Sequence, residues 1–499
     1  MTQYTAMCQA FATNVAFNDA SPVGSPAGSP FDARELANVV RGAAAAMPPG
    51  YATSYAAPLV DALPTVTRRL EAQMNTSIEQ GENPADARAE IQSFVDTLVG
   101  AVRDWSEPAY QAPLRRFEAV ISNLYRSFLS MSQRRMVALP LIETIPPLAT
   151  FAPKPDQGPF TLPSDAVKDL ASIPIGVVSL PGSYREHPLL WPSLAHETGG
   201  HDVLHADPGL LRELANGVAN LPHLPPGIGR LWAGWMDEAA SDVYGLLNIG
   251  PSFAISLSAF FYALRASTAR RKPKLGAISN MLQVQGNVPL DVHPVDILRI
   301  PLAIGVTSQL TSLSASAKGQ WLDMLGSLVT EAAGGATSID VVDVRTRSTI
   351  QQLPLDQMSE AAKAVGAFIA TARLDALEGH SVQDIETWDD LDERAAQTIR
   401  QAAAAGDTLV GLGDDAQLLA GTTLALFDNA KAYADITKLL DAGLDDSFAR
   451  DPVFAPPAPH FMLFDRDRGR RGKAASRTPA FPRFPLAQTA EPPRPKRRA

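Results

Sequence analysis

The run His196-Glu197-Thr198-Gly199-Gly200-His201, followed by Asp237-Glu238-Ala239-Ala240-Ser241-Asp242, decides how this chain is read. Two imidazoles, a third carboxylate and a spare glutamate are the parts of a catalytic zinc site with one open coordination position. Four of the eight histidines, His187, His196, His201 and His205, fall between positions 187 and 205, so the clustering is not compositional scatter.

The spacing makes a geometric demand. In the usual zinc-peptidase helix the two histidines are four residues apart and share a face. Here His196 and His201 are five apart. Five residues of regular helix turn the side chain by about 140°, too far for both to reach one tetrahedral ion. One extra residue in a π-type bulge restores the common face, and glycine at Thr198-Gly199-Gly200 tolerates the distortion. Glu197, beside the first ligand, is then the general base. Glu238 is the expected third ligand, on an amphipathic helix with Trp232 and Trp235. Asp242, one turn on, is placed to accept the outer N–H of a liganding histidine. Asp237 does similar work or faces water. A rival pairing needs no bulge: His201-Asp202-Val203-Leu204-His205 spaces two histidines by four, with a shorter acid as base, which makes His205 an alternative ligand. A third reading has no metal and treats these residues as helix-surface and capping groups.

The two stretches together resemble the signatures of the dipeptidyl-peptidase III family, His-Glu-x-x-Gly-His and two acids followed after three residues by another. The stretch Asp237 to Gly245 also looks like the third-ligand helix of thermolysin-like gluzincins. The resemblance covers about sixty residues of the chain and implies a gluzincin-type zinc metallopeptidase with an expanded motif. By it, His196, His201 and Glu238 bind one zinc ion, Glu197 is the catalytic base, and Asp242 stands behind the ligands.

A peptidase also needs a donor for the tetrahedral oxyanion. His293, in Asp291-Val292-His293-Pro294, is the best candidate because it precedes a helix in an accessible loop. Arg299 is a candidate for binding a substrate carboxylate, or it pairs with Asp296. Tyr244 and Tyr184 are further oxyanion or substrate candidates, with core packing as the plainer role for Tyr244. His187 lines a cleft entrance or only precedes a turn. Trp191, Leu194 and Ala195 seat the motif helix in a core.

The rest of the sequence sets the frame. At 499 residues with 45% hydrophobic content, the chain can bury a sizeable core in several units. Cys8 is the lone cysteine, so no intramolecular disulfide forms. From Asp465 to Ala499, eleven Lys/Arg stand against three Asp/Glu, a net of +8; since the whole chain carries −10, the remainder carries −18. That acidic body argues against nucleic-acid binding, while the basic tail suits an acidic partner or is simply solvated and disordered. No secretory signal or membrane span is read, so a cytoplasmic location is expected, with signal-independent export still open.

The expected fold is mainly α with a small β element: a zincin-like catalytic core flanked by helical N- and C-terminal units. The divisions are a flexible leader (1–31), a helical unit (32–140), the catalytic domain with short strands (141–335), a helical unit (336–450) and a disordered Pro-rich tail (451–499). Expected helices include Glu35–Met47, Leu59–Gln73, Ala85–Trp105 and Leu114–Met136, with Pro108 and Pro113 between the last two, and a single helix over Ile228–Leu247. Ile173–Leu180 is the best strand, either an edge that receives extended substrate or a structural ribbon. Ser338–Arg345 is another. The functional expectation is zinc-dependent hydrolysis of a peptide or protein substrate. The alternatives are a catalytically silent, metal-stabilised interaction protein and a self-processing enzyme.

Overall fold

Apolar residues three and four apart build most of this molecule as helices. The computed structural model describes residues 1–17, 29–129, 146–152, 159–171, 173, 175–269, 272–286, 288–451 and 454. It is mainly helical, with two small sheets. The Ser/Pro-rich stretch over 18–28, the segment 130–145 and the tail from 455 onward lie outside the described residues, as do the expectations placed on them.

Four N-terminal helices, Ala33–Ala44, Ala57–Glu79, Pro84–Arg103 and Pro108–Leu129, lie close to where periodicity puts them. Pro113 does not separate helices; it lies inside the last one, which begins at Pro108. Proline at the first helical position loses no hydrogen bond, so the start shifts upstream. The leader needs a larger correction. Gln3–Asn14 is a helix, not a flexible segment, and Tyr4, Met7, Cys8 and Phe11 are buried along it. Their spacing is that of one apolar helical face. The face packs on the Ser252–Thr268 helix, and Tyr4 donates to the Gly276 carbonyl at 3.0 Å.

The first sheet is β1 (Leu148–Ala152), β2 (Phe160–Leu162) and β3 (Val177–Pro181), in the order β1-β3-β2. The apolar run that suggested an edge strand therefore becomes the central strand, buried along its length. A central strand buried on both faces reads as an unbroken apolar run, which periodicity alone does not separate from an edge. The free edge of β1 is closed by buried carboxylates. Glu118 accepts from Ala149 N–H at 2.9 Å, and Asp104 accepts from the Thr150 hydroxyl at 2.8 Å and from Phe151 N–H at 3.4 Å. These contacts satisfy buried backbone donors that have no neighbouring strand. They also tie the N-terminal helices to the sheet beside the candidate site.

The second sheet runs β5-β4-β6-β7, from β4 (Met281–Gln285), β5 (Val288–Pro289), β6 (Ser338–Asp343) and β7 (Ser348–Pro354). Of these only β6 was expected from sequence. The C-terminal helices Leu355–Thr371, Asp390–Ala405, Asp415–Asp428 and Tyr433–Arg450 close the other side. Among the described residues one apolar core runs from Tyr4 to Phe454, so the residues up to Phe128, those from Leu148 on and those beyond 335 share their packing. Polar contacts also join these parts: Arg116 pairs with Asp441 at 2.7 Å and Asp445 at 2.8 Å, and Glu213 accepts from Asp375 N–H at 2.6 Å. Among the described residues, no helix is long and apolar enough to cross a membrane.

Candidate metal centre

The motif helix runs from Ser193 through Ala206, and its middle, Glu197–Asp202, is a π-helix. This is the bulge that the five-residue spacing demands. Trp191, Leu194 and Ala195 anchor its start and are fully buried, with the Trp191 indole donating to the Tyr184 carbonyl at 3.1 Å.

The glycines serve close packing rather than an unusual backbone. A Cβ built on Gly200 would stand 2.4 Å from Ser241 Cβ and 2.5 Å from Ser241 Cα. One built on Gly199 would stand 2.4 Å from Asn248 Nδ2. The motif helix therefore lies directly against the Met236–Ile249 helix, which carries Glu238 and Asp242.

That second helix does not continue the preceding one. The expected single helix over 228–247 is two, Pro226–Gly234 and Met236–Ile249, broken at Trp235. Both Trp232 and Trp235 are buried and meet edge to face with ring centres 5.4 Å apart. The break puts Asp237 and Glu238 in the first turn of the new helix, where the helix dipole favours carboxylates.

Ligand atoms of His196, His201 and Glu238 all lie within 4.8 Å of one another, a group that could hold a metal ion. His196 Nε2 is 3.2 Å from His201 Nε2 and 3.1 Å from Glu238 Oε2, and His201 Nε2 is 3.7 Å from Glu238 Oε1. Behind the rings, His196 Nδ1 meets Asp242 Oδ1 at 2.9 Å, and His201 Nδ1 meets Asp237 Oδ1 at 3.0 Å. Each carboxylate holds its ring with Nδ1 protonated, so in the neutral tautomers both Nε2 lone pairs point at the same spot. Glu238 Oε2 is buried there, and with those Nε2 atoms unprotonated it accepts no hydrogen bond from them. Two facing lone pairs and an orphaned carboxylate oxygen are unfavourable together unless a cation joins them.

The electrostatics agree. Burial alone would lower the His201 pKa, but Glu238 and Asp237 outweigh it and push it up to about 10. Burial would likewise raise the Glu238 carboxyl, yet the charges of His201, His293 and His196 hold it well below the usual carboxylate range. The field at this point favours positive charge, whether a proton or a metal carries it.

Glu197 is buried but not a member of the donor group. Its side chain is held from above by β2: the Thr161 hydroxyl lies 3.0 Å from Glu197 Oε2 and 2.9 Å from the Glu197 carbonyl oxygen. Thr161 was not anticipated. Its only sequence signal is a β-branched residue in a three-residue strand within a proline-rich region.

His293 stands at the open side of the cluster, its side chain 44% exposed, with Nε2 3.3 Å from Glu238 Oε2. Asp291 fixes its other nitrogen at 2.6 Å. His205 is outside the donor group; its Nε2 lies 3.5 Å from Asp237 Oδ2, so Asp237 faces both His201 and His205.

Two expected substrate contacts are corrected. Arg299 is 6% exposed and lies behind the cluster. Its guanidinium grips both Asp242 oxygens, Nε reaching Oδ2 at 2.5 Å, and Nη2 is 3.1 Å from His196 Nδ1. The Asp296–Gln309 helix turns this face inward, and a charge buried against a carboxylate is not available to substrate. Tyr244 is 1% exposed and packs on Phe128 with ring centres 4.5 Å apart, a core position. Tyr184 is also buried, between Phe17 and Phe260. His187 Nδ1 meets the Tyr433 hydroxyl at 3.0 Å, away from the donor group.

Comparison with known proteins returns no matching family model, no matching curated protein and no matching solved structure.

Proposed function

We propose that the chain is a zinc-dependent metallopeptidase with a gluzincin-type, zincin-like core, in which His196, His201 and Glu238 hold the metal. The observation that carries this reading is the donor triangle. A tetrahedral zinc ion with bonds of about 2.0–2.1 Å needs its donors about 3.3 Å apart. The separations of 3.2 Å between the two Nε2 atoms and 3.1 Å from His196 Nε2 to Glu238 Oε2 are near that edge length, and His201 Nε2 lies 3.7 Å from the other Glu238 oxygen, Oε1. A His/His/Glu set leaves one tetrahedral position open, the pattern of a catalytic rather than a closed structural site. Zinc is favoured by this borderline nitrogen and oxygen donor set.

Bound there, zinc would supply Lewis-acid polarisation of the scissile carbonyl and acidification of water. The chain's own residues do the rest. Glu197 takes the proton from the attacking water and delivers it to the leaving amine nitrogen. The Thr161 hydroxyl, shared between Glu197 Oε2 and the Glu197 carbonyl oxygen, keeps that carboxylate aimed. His293, oriented by Asp291, donates to the oxygen on which negative charge develops. Asp242 and Asp237 hold the ligand rings, and Arg299 holds Asp242.

Hydrolysis of a peptide library by the zinc-loaded full chain tests this reading. Glu197→Gln should abolish turnover while keeping the metal. Undiminished turnover in that variant, or an inert wild type with full zinc occupancy, would overturn it; the second result would favour a metal-stabilised interaction protein.

A further inference from the structure

The four-stranded sheet and the Pro226–Gly234 helix enclose an open groove of about 760 Å³. Eight large hydrophobic side chains are exposed among the described residues, and four of them, Val288, Leu290, Val292 and Ile350, line this groove. Single exposed hydrophobics are ordinary, but half of the set gathered in one concavity marks a binding surface.

The groove is continuous with the metal centre. Asp291 lines it and holds His293 at 2.6 Å, and His293 Nε2 is in turn 3.3 Å from Glu238 Oε2. Trp235, at the break before the Glu238 helix, lines it as well, and its indole donates to the Asp291 carbonyl at 3.3 Å. The groove and the cluster thus share a wall built from Trp235, Asp291 and His293.

We propose that this groove is the subsite for the flank of an extended polypeptide substrate and that it selects apolar side chains; the proposal rests on the metallopeptidase reading. Clefts for small ligands enclose about 300–1,000 Å³, so this volume takes several side chains rather than one. The charged residues lining it are Arg230 and Asp291, one of each sign, so it offers no net field for a charged segment. Backbone pairing along its β5 rim is blunted. Pro289 has no N–H to offer, Leu290 N–H is spent on the Gln283 carbonyl at 3.0 Å, and the Asp291 carbonyl is spent on Trp235. Along that rim recognition therefore falls to side chains and depends on substrate sequence.

Fluorescence polarisation on the zinc-loaded, full-length Glu197→Gln protein tests this without turnover. The probes are a labelled peptide alternating Leu and Ser, and a control with Asn in place of Leu. The Leu peptide should bind and the control should not. Val288→Asp and Ile350→Asp, both at exposed positions that folding tolerates, should each weaken binding at least about ten-fold. Equal binding of the two peptides, or indifference to both substitutions, would overturn the proposal. So would a wild-type dimer in sedimentation velocity that both substitutions dissociate, since the groove would then be a subunit contact. The readout separates the two claims. Groove-dependent binding by a protein that never hydrolyses peptides defeats the enzymatic reading and leaves the groove a peptide-binding surface, not a substrate subsite. Glu197-dependent hydrolysis with groove-independent binding defeats the groove alone.

Discussion

Replacing Gly200 by alanine places a methyl group where two helices touch. Carbon atoms rest about 3.5–4.0 Å apart. The new Cβ would stand 2.4 Å from Ser241 Cβ and 2.5 Å from Ser241 Cα, so the helices must separate by about 1 Å or more. Ser241 lies between Glu238 and Asp242 on its helix, so the same movement carries the third ligand and the His196 partner away from the motif helix. The His196–Glu238 separation of 3.1 Å would open to about 4 Å, beyond the reach of one tetrahedral ion. We expect a loss of about 1–3 kcal/mol in stability from overpacking and about 10–100-fold in zinc affinity. Urea denaturation and competition against a chromophoric zinc chelator measure the two. The control is Gly199→Ala, whose Cβ meets the end of the Asn248 side chain rather than backbone, and which Asn248→Ala should relieve. Ser241→Gly should not rescue Gly200→Ala, because the clash with Ser241 Cα remains. A Gly200→Ala protein that binds zinc normally, or one restored by Ser241→Gly, would refute the close-packing argument.

Thr161→Val should keep the metal and fold but lower kcat by about ten-fold with little change in KM, because it removes a hydrogen bond that aims Glu197, a loss of about 1–1.5 kcal/mol; steady-state kinetics beside metal analysis checks this. Arg299→Met leaves the Asp242 carboxylate buried without its cation, and urea unfolding should show a loss of about 3–5 kcal/mol, with Arg299→Lys only a partial rescue. Glu118 supplies a pH test away from the metal: burial raises its pKa to about 8, while the bond from Ala149 N–H opposes the rise. Its folded value lies above its unfolded value of about 4.3, so its contribution to stability is full below that unfolded value and is lost as pH rises through about 8. Glu118→Gln should flatten the fall in thermal stability between pH 5 and 9, and an unchanged profile would contradict the assignment.

What sequence could reveal depended on whether a local demand forced the structure. Five-residue spacing between His196 and His201 is incompatible with one ion on a regular helix, so the π-turn could be anticipated. Asp242 followed from its offset of four from Glu238, whereas sequence leaves Asp237 between holding a ring and facing water, and only its contact with His201 Nδ1 decides. Arg299 did not, because periodicity gives which residues share a face and not which neighbour that face meets; only the crossing of the Asp296–Gln309 helix turns the guanidinium onto Asp242. Thr161 depends on a pairing between β2 and β3, which no local pattern encodes. The strand Ser348–Pro354 is almost wholly exposed and lacks alternation, so nothing in Ser-Thr-Ile-Gln-Gln-Leu-Pro marked it. The Gln3–Asn14 helix does carry its signal, in Tyr4, Met7, Cys8 and Phe11, but the face is short and a Ser/Pro-rich stretch follows it directly.

The most direct test of the central claim is metal content by mass spectrometry on the wild type and on His196→Ala, His205→Ala and Glu238→Ala. The account requires about one zinc per chain in the wild type and in His205→Ala, and loss of it in His196→Ala and Glu238→Ala. Zinc lost with His205 but kept with His196, or no metal bound in any of the four after reconstitution, would contradict it.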